Sequence, residues 1–301
     1  MLPMGLKHSS FLMYILFLLY FISSSSLSYA AVAGADSGLF LLQGQKNNKG
    51  NEVIRTEPLF GKELKTVKVK SDKLKGACFY IVSGHGGPDP GAVGKHNGRH
   101  LHEDEYAYDV ALRLARNLME DGAEVRIVIQ DKNDGIRKGS YLANSDVETC
   151  MGEKIPESQK KRLRQRVDKI NALYKKDKTR YKYTRAIFLH VDSRSKGTNI
   201  DVHFYHSKHS KKGEGTAMAI RDTFKEKYRI HNPKRGYNGT VGPHPKGLYV
   251  VNNSMPAAVL IELANIKNER DLKRILLESN RQALANWMSE ALVKDYKANV
   301  K

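Results

Sequence analysis

The sequence predicts an α/β fold: a mostly parallel central sheet with helices on both faces, in a single catalytic domain. Three observations carry this reading. Short apolar, β-branched runs alternate with amphipathic stretches of ten or more residues, the spacing that crossover connections between parallel strands require. Runs such as ACFYIV and AAVLIELA are apolar almost throughout, as strands covered on both faces are. Several of them end where a glycine, a histidine or a carboxylate stands, and sites in such sheets gather outside the C-terminal ends of strands.

The first thirty residues read as an export signal and not as part of the fold. MLPMGLKHSS carries one Lys, FLMYILFLLYFI is apolar for twelve residues, and SSSSLSYA ends in small residues. Twelve residues are short for a bilayer, which takes about 20. Cleavage is expected after Ala30. The mature chain would then carry no transmembrane anchor and be exported, to the periplasm or the extracellular space. Residues 31–75 are expected to form an N-terminal extension, flexible over 31–50, with LKTVKVK as an edge-strand candidate. The catalytic domain is expected over 76–296.

Within that domain ACFYIV is the first buried strand, closed by Ser83 and Gly84. EDEYAYDVALRLARNLMEDG is helical. Tyr106, Val110, Leu114 and Leu118 recur every four residues, and acids cluster at its start, where the helix dipole favours them. AEVRIVIQ is the next strand, followed by a long polar segment over 133–160. RLRQRVDKINALYKK is a helix with Leu163, Val167, Ile170 and Leu173 on one face. RAIFLHV and NIDVHFYHS read as strands, EGTAMAIRDTFKEKY as a helix, and LYVVN and AAVLIELA as strands. A last helix runs from about Glu269, with Leu272, Leu276, Leu284 and Val293 among its apolar positions.

The formal charge is +19, or +18 once Lys7 leaves with the signal segment. In an exported chain that excess suits anionic envelope polymers or lipid headgroups by Coulomb attraction, and no nucleic-acid partner is expected. Only Cys78 and Cys150 occur. Export makes them candidates for one disulfide, which a chain of this size does not need. The glycines of 84-GHGG-87 are not followed by Gly-Lys-Ser/Thr, which excludes a P-loop, and they do not fit the dinucleotide pattern.

The candidate site comes from strand ends. His85 follows ACFYIV, His190 ends RAIFLHV, and Glu262 sits in AAVLIELA, where a carboxylate is costly unless it is paired, near a metal or facing a cleft. Glu103 opens the next helix, but Asp104 and Glu105 stand beside it, and His96, His100 and His102 offer other ligands. Position alone does not choose among them. Two imidazoles, one carboxylate and an open position form a catalytic zinc arrangement, leaving Glu262 as general base. No HExxH segment is present, so distant segments must assemble the site.

The same residues carry a resemblance. The chain resembles the zinc-dependent N-acetylmuramoyl-L-alanine amidases of the Amidase_3 family, from about Ala77 to about Val293. The block 81-IVSGHGGPDPGAVG-94 is similar to the family's Asp-Pro-Gly-His-Gly-Gly-like block, with Ser83 in place of the usual Pro. The resemblance implies that His85 is the first zinc ligand. Glu103, eight positions before Ala111, is the second, in preference to Asp104 and Glu105. His190 in FLHVDS is the third, with Asp192 where the family commonly has Asn. Glu262 in VLIELANIKN matches the catalytic carboxylate, although Leu263 and Ala264 depart from Thr-Gly. Arg166 in LRQRVDKIN matches an Arg of the family's helix block. Asp192, Arg166 and Asn265 are expected beside the metal or the substrate, and His96, His100 and His102 outside the zinc ligands.

The implied activity is hydrolysis of the amide between N-acetylmuramic acid and L-alanine in peptidoglycan, using one Zn2+. A zinc peptidase acting on the stem peptide, or an inactive peptidoglycan-binding protein, is the alternative. No obligatory activator protein is expected. The interval 191–261 already holds two strands, a helix and a loop, which leaves little length for a long blocking helix. The segment 133–160 is the stretch that could instead fold over the site.

Overall fold

The computed structural model describes residues 52–300 together with a two-residue strand β1 (Gln45–Lys46). The export signal and the rest of 31–51 lie outside the described residues. β1, β2 (Val53–Thr56) and β3 (Thr66–Lys68) form a small antiparallel sheet in that order, so LKTVKVK supplies an edge. Phe60, Val67 and Leu74 are buried in the main core, which holds residues 52–75 against the domain.

The main chain then runs β4 (Ala77–Ser83), a hairpin of β5 (Val93–His96) and β6 (Arg99–His102), α1 (Glu103–Glu120) and β7 (Glu124–Ile127). A ribbon follows from β8 (Ile129–Gln130), β9 (Thr149–Cys150) and β10 (Glu153–Lys154), leading into α2 (Gln159–Asp177). After it come β11 (Tyr183–Asp192), β12 (His203–His206), α3 (Lys211–His231), β13 (Val241–Gly242), α4 (Tyr249–Asn253), β14 (Ala257–Asn265), α5 (Glu269–Leu276) and α6 (Glu278–Asn299).

The central sheet has six strands in the order β13-β12-β14-β11-β4-β7. β7, β4, β11 and β14 are parallel, and β12 runs antiparallel to β14. β13 runs parallel to β12, so two strands at one edge are reversed on an otherwise parallel sheet, a common mixed arrangement. Alternation along the strands divides the interior in two. Phe79, Ile81, Ile187, Leu189, Val259 and Ile261 belong to a core shared with α1, α3, α5 and α6. Tyr80, Val82, Phe188 and Leu260 face a second core, closed by Val167, Ile170 and Leu173 of α2 and by Val250 and Val251 of α4. Each such side chain contributes about 1.5–3 kcal/mol through burial.

Three expectations are corrected. LYVVN is not a strand: Tyr249–Asn253 is a short helix, and its valines complete the second core against α2. An apolar run this short carries no period that separates strand from helix. The last helix is two helices, broken at Leu277, whose backbone is extended at ψ 127°. The buried Arg281 stabilises the break by donating from Nη1 to the carbonyls of Ile275 and Leu276, each at 2.8 Å, where α5 ends. Cys78 and Cys150 are not bridged but are buried free thiols. Cys78 pairs in register with Glu124 and Cys150 with Ile129. Five residues of extended chain separate those partners, roughly 16 Å at a strand's rise, whereas a disulfide needs Cα atoms within about 7 Å.

Candidate metal centre

Because β4, β11 and β14 are adjacent, their C-terminal ends bring His85, His190 and Glu262 together. Glu103 arrives from the start of α1. His85, Glu103 and His190 form a cluster in which one ligand atom of each lies within 4.8 Å of the others. His190 Nδ1 stands 2.9 Å and His85 Nε2 3.3 Å from Glu103 Oε1. The imidazoles meet edge to face, with centroids 5.1 Å apart. Burial opposes charge on Glu103, but hydrogen bonds and charge from His190 and then His85 override it and hold the carboxyl well below the usual range. Burial pushes His190 down toward the neutral form, against the opposing pull of Glu103. For His85 burial is outweighed by Asp89 and Glu103, which push it up to about 10.

The loop around His85 is shaped to hold it. His85, Gly86 and Gly87 all have left-handed φ, at 57°, 94° and 61°, so the chain turns sharply off the strand. His85 Nδ1 donates to Asp89 Oδ2 at 2.9 Å, and Arg162 Nη2 donates to the same oxygen at 2.6 Å. Arg166 Nη2 donates to the carbonyl of His85, so this arginine braces the ligand loop from α2. Glu103 is braced as firmly: Oε2 accepts the Ala92 amide at 2.8 Å and Oε1 the Val191 amide at 3.0 Å. The remaining space beside His85 and His190 is a cavity of about 40 Å³, lined among others by Arg162, Arg166 and Val250.

Glu262 pairs in register with His190 on one side and with His203 on the other. Its Oε2 is shielded from solvent and has no hydrogen-bond partner. Burial first, then the charges of Glu103 and Asp192, push the carboxyl well above its ordinary range. Asp192 is engaged by Arg194 Nε, and Arg194 also reaches the Tyr205 hydroxyl at 2.8 Å. Asn265 is fully buried and turned inward. It accepts from the Arg194 and Lys267 amides and donates to the carbonyls of Ser195 and Thr198. It therefore braces the 193–198 loop and presents nothing to a substrate.

His96, His100 and His102 lie on the β5–β6 hairpin and are not part of the cluster. His96 bonds the Tyr141 hydroxyl at 2.8 Å, and His102 is the N-cap of α1. Two residues escaped the reading of strand ends. Asp89 sits inside the quoted PDP turn, where a carboxylate four residues after a ligand histidine was the available signal. His203, which pairs in register with Glu262, was marked only by opening the strand HFYH.

Two imidazoles and a carboxylate, with an unpartnered carboxyl alongside, form the donor set of a metal-dependent hydrolase on a parallel α/β sheet. The family model for N-acetylmuramoyl-L-alanine amidase, Amidase_3, matches residues 80–294, and the chain belongs to that family. Its activity is Amidase_3-type hydrolysis of a peptidoglycan amide bond. Among solved structures, Cwp6 from Clostridium difficile matches at 20% identity and TM-score 0.52, over 76% of this chain and 30% of its own. This chain thus corresponds to less than a third of that protein. The CwlD amidase from Clostridioides difficile, solved in complex with the GerS lipoprotein, matches at 16% identity and TM-score 0.53, over 74% of this chain and 99% of its own. Ami1 from Mycobacterium smegmatis, an N-acetylmuramyl-L-alanine amidase, matches at 15% identity and TM-score 0.53, over 76% and 100%. At these identities the likeness is one of fold. No curated protein matches the chain by sequence.

Proposed function

We propose that the bond cut joins the lactyl group of N-acetylmuramic acid to the L-alanine of the stem peptide, with one zinc ion held by His85, Glu103 and His190 and with Glu262 as general base. The observation that carries this reading is the unpartnered Oε2 of Glu262, in register with a histidine of a three-residue ligand cluster. Zinc bound there supplies Lewis acidity, acidifying water and polarising a carbonyl. The chain supplies the rest. Asp89 accepts the Nδ1 proton of His85 and so fixes its tautomer, leaving Nε2 directed at Glu103. Glu262, made more basic by burial, takes a proton from water and returns it to the departing L-alanine nitrogen.

In this reading residues 1–30 direct export, 31–75 form the extension and 76–296 the catalytic domain. The protein acts outside the cytoplasmic membrane, in the periplasm or beyond, where its substrate lies. Among the described residues no helix is long and apolar enough to cross a membrane. The reading includes no obligatory activator, and what supports it is that α3 belongs to the core on the α6 side and α4 has only five residues. The side chains of His85 and His190 keep 24% and 20% exposure. The test is metal analysis joined to digestion of purified sacculi by wild type and Glu262→Gln. The expected result is one zinc per chain in both and intact stem peptides released by wild type, with turnover lost in the variant. Release of terminal amino acids instead, or near-normal hydrolysis by Glu262→Gln, refutes it.

A further inference from the structure

A second group of carboxylates lies behind the ligand loop. Asp104, Glu105 and Glu148 are all buried, and an oxygen of each lies within 4.8 Å of one from each of the others. Asp104 and Glu105 come from the first turn of α1, and Glu148 directly precedes β9. Glu148 Oε2 accepts the Gly87 amide at 2.8 Å. Glu105 receives Arg137 Nη1 at 2.7 Å and the Ser145 amide. Asp104 Oδ1 accepts the Glu105 amide at 2.9 Å, while Oδ2 is buried with no partner, in a residue only 3% exposed.

Three carboxylates thus face one bonded guanidinium away from water, a crowding that a further positive charge among them would relieve.

We propose that Asp104, Glu105 and Glu148 hold a hard divalent cation of the calcium or magnesium class, separate from the histidine centre. The donors are oxygens only, which favours such ions over zinc. A single cation about 2.3–2.6 Å from each oxygen fits within the observed spread. It ties the 131–155 segment, through Glu148, to the Gly86-Gly87 turn next to His85, and so clamps the loop that presents the first ligand. The proposal does not depend on which bond the enzyme cuts.

The experiment uses the zinc-loaded chain, titrated by calorimetry with CaCl2, MgCl2 and MnCl2 in separate runs, with thermal unfolding followed at each point. Wild type should bind one equivalent of at least one of these ions and unfold at a higher temperature when saturated. Glu148→Gln and Asp104→Asn should each weaken that binding by about 10–100-fold. In the absence of added cation both variants should unfold no earlier than wild type, since each removes a crowded negative charge. Zinc content is measured on the same samples, so failure of the histidine centre is read separately. No binding up to about 10 mM of any of the three ions, beyond the weak end of protein calcium sites, overturns the proposal. Binding that both variants leave unchanged does the same.

Discussion

Replacing Gly84 by alanine tests whether the ligand geometry depends on the close approach of two strands. The φ of Gly84 is not left-handed, so alanine meets no backbone strain there. The obstacle is the His190 ring: a Cβ at residue 84 would lie 2.7 Å from Nε2 and nearer still to Cε1. Restoring contact distance requires the ring to retreat by about 1 Å. His190 is also held by Glu103 at 2.9 Å, and metal–ligand distances tolerate only about 0.2 Å. Gly84→Ala should therefore lower metal affinity by about 100-fold or more. It should cost about 1–3 kcal/mol from overpacking. Competition against a chromophoric zinc chelator reads the first effect and chemical denaturation the second. Gly215→Ala in α3 is the control. Nothing lies within 4 Å of its added Cβ, so it should stabilise by about 0.5–1 kcal/mol and leave metal binding unchanged. Wild-type metal affinity and sacculus hydrolysis in Gly84→Ala would refute the argument.

Asp89→Ala removes the acceptor shared by His85 and Arg162. It should weaken metal binding by about 10–100-fold in the same chelator assay while the circular dichroism spectrum stays unchanged. Cys78 and Cys150 should resist alkylation in the native protein and react together on unfolding. Burial pushes both thiols up, Cys150 to about 11, and hydrolysis should be equal with and without reductant. Rapid native labelling, or a disulfide found by mass spectrometry, would contradict this. Arg281→Ala removes one of the two guanidinium groups on the buried Asp109, which the arginine meets at 2.6 Å, and leaves the carbonyls of Ile275 and Leu276 unpaired around a cavity; it should cost about 2–5 kcal/mol in denaturant titration. A loss below about 1 kcal/mol would mean that Arg113, also bonded to Asp109, suffices alone.

His85, His190 and Glu262 were legible because each interrupts or ends an apolar run, and a parallel sheet puts those ends on one edge. Glu103 was not separable from Asp104 and Glu105 by position; only the family resemblance singled it out, and the structure brings it into the ligand cluster. The direction of β12 was hidden, since a strand of four residues such as HFYH carries nothing that tells a parallel from an antiparallel partner. Residues 131–155 were illegible for a different reason. Their order comes from single polar bonds such as Ser145 to Asp131 at 2.6 Å and Glu148 to Gly87 at 2.8 Å, and such bonds leave no period in the sequence. Residues 52–75 fold because Phe60, Val67 and Leu74 find the main core, and three isolated apolar positions are a weak signal beforehand.

The pairing of His190 with Glu262 across β11 and β14 has a consequence for how the chain tolerates error. Sliding β14 by one residue would turn Glu262 toward the face now occupied by Val259 and Ile261, inside the core covered by α1 and α6. The slipped form would bury a lone carboxylate in the main core at the same moment that it lost its base. Proofreading of the fold and competence for chemistry are thus enforced by one alignment. A population of folded but misaligned, inactive molecules is selected against by the same residue that performs the reaction.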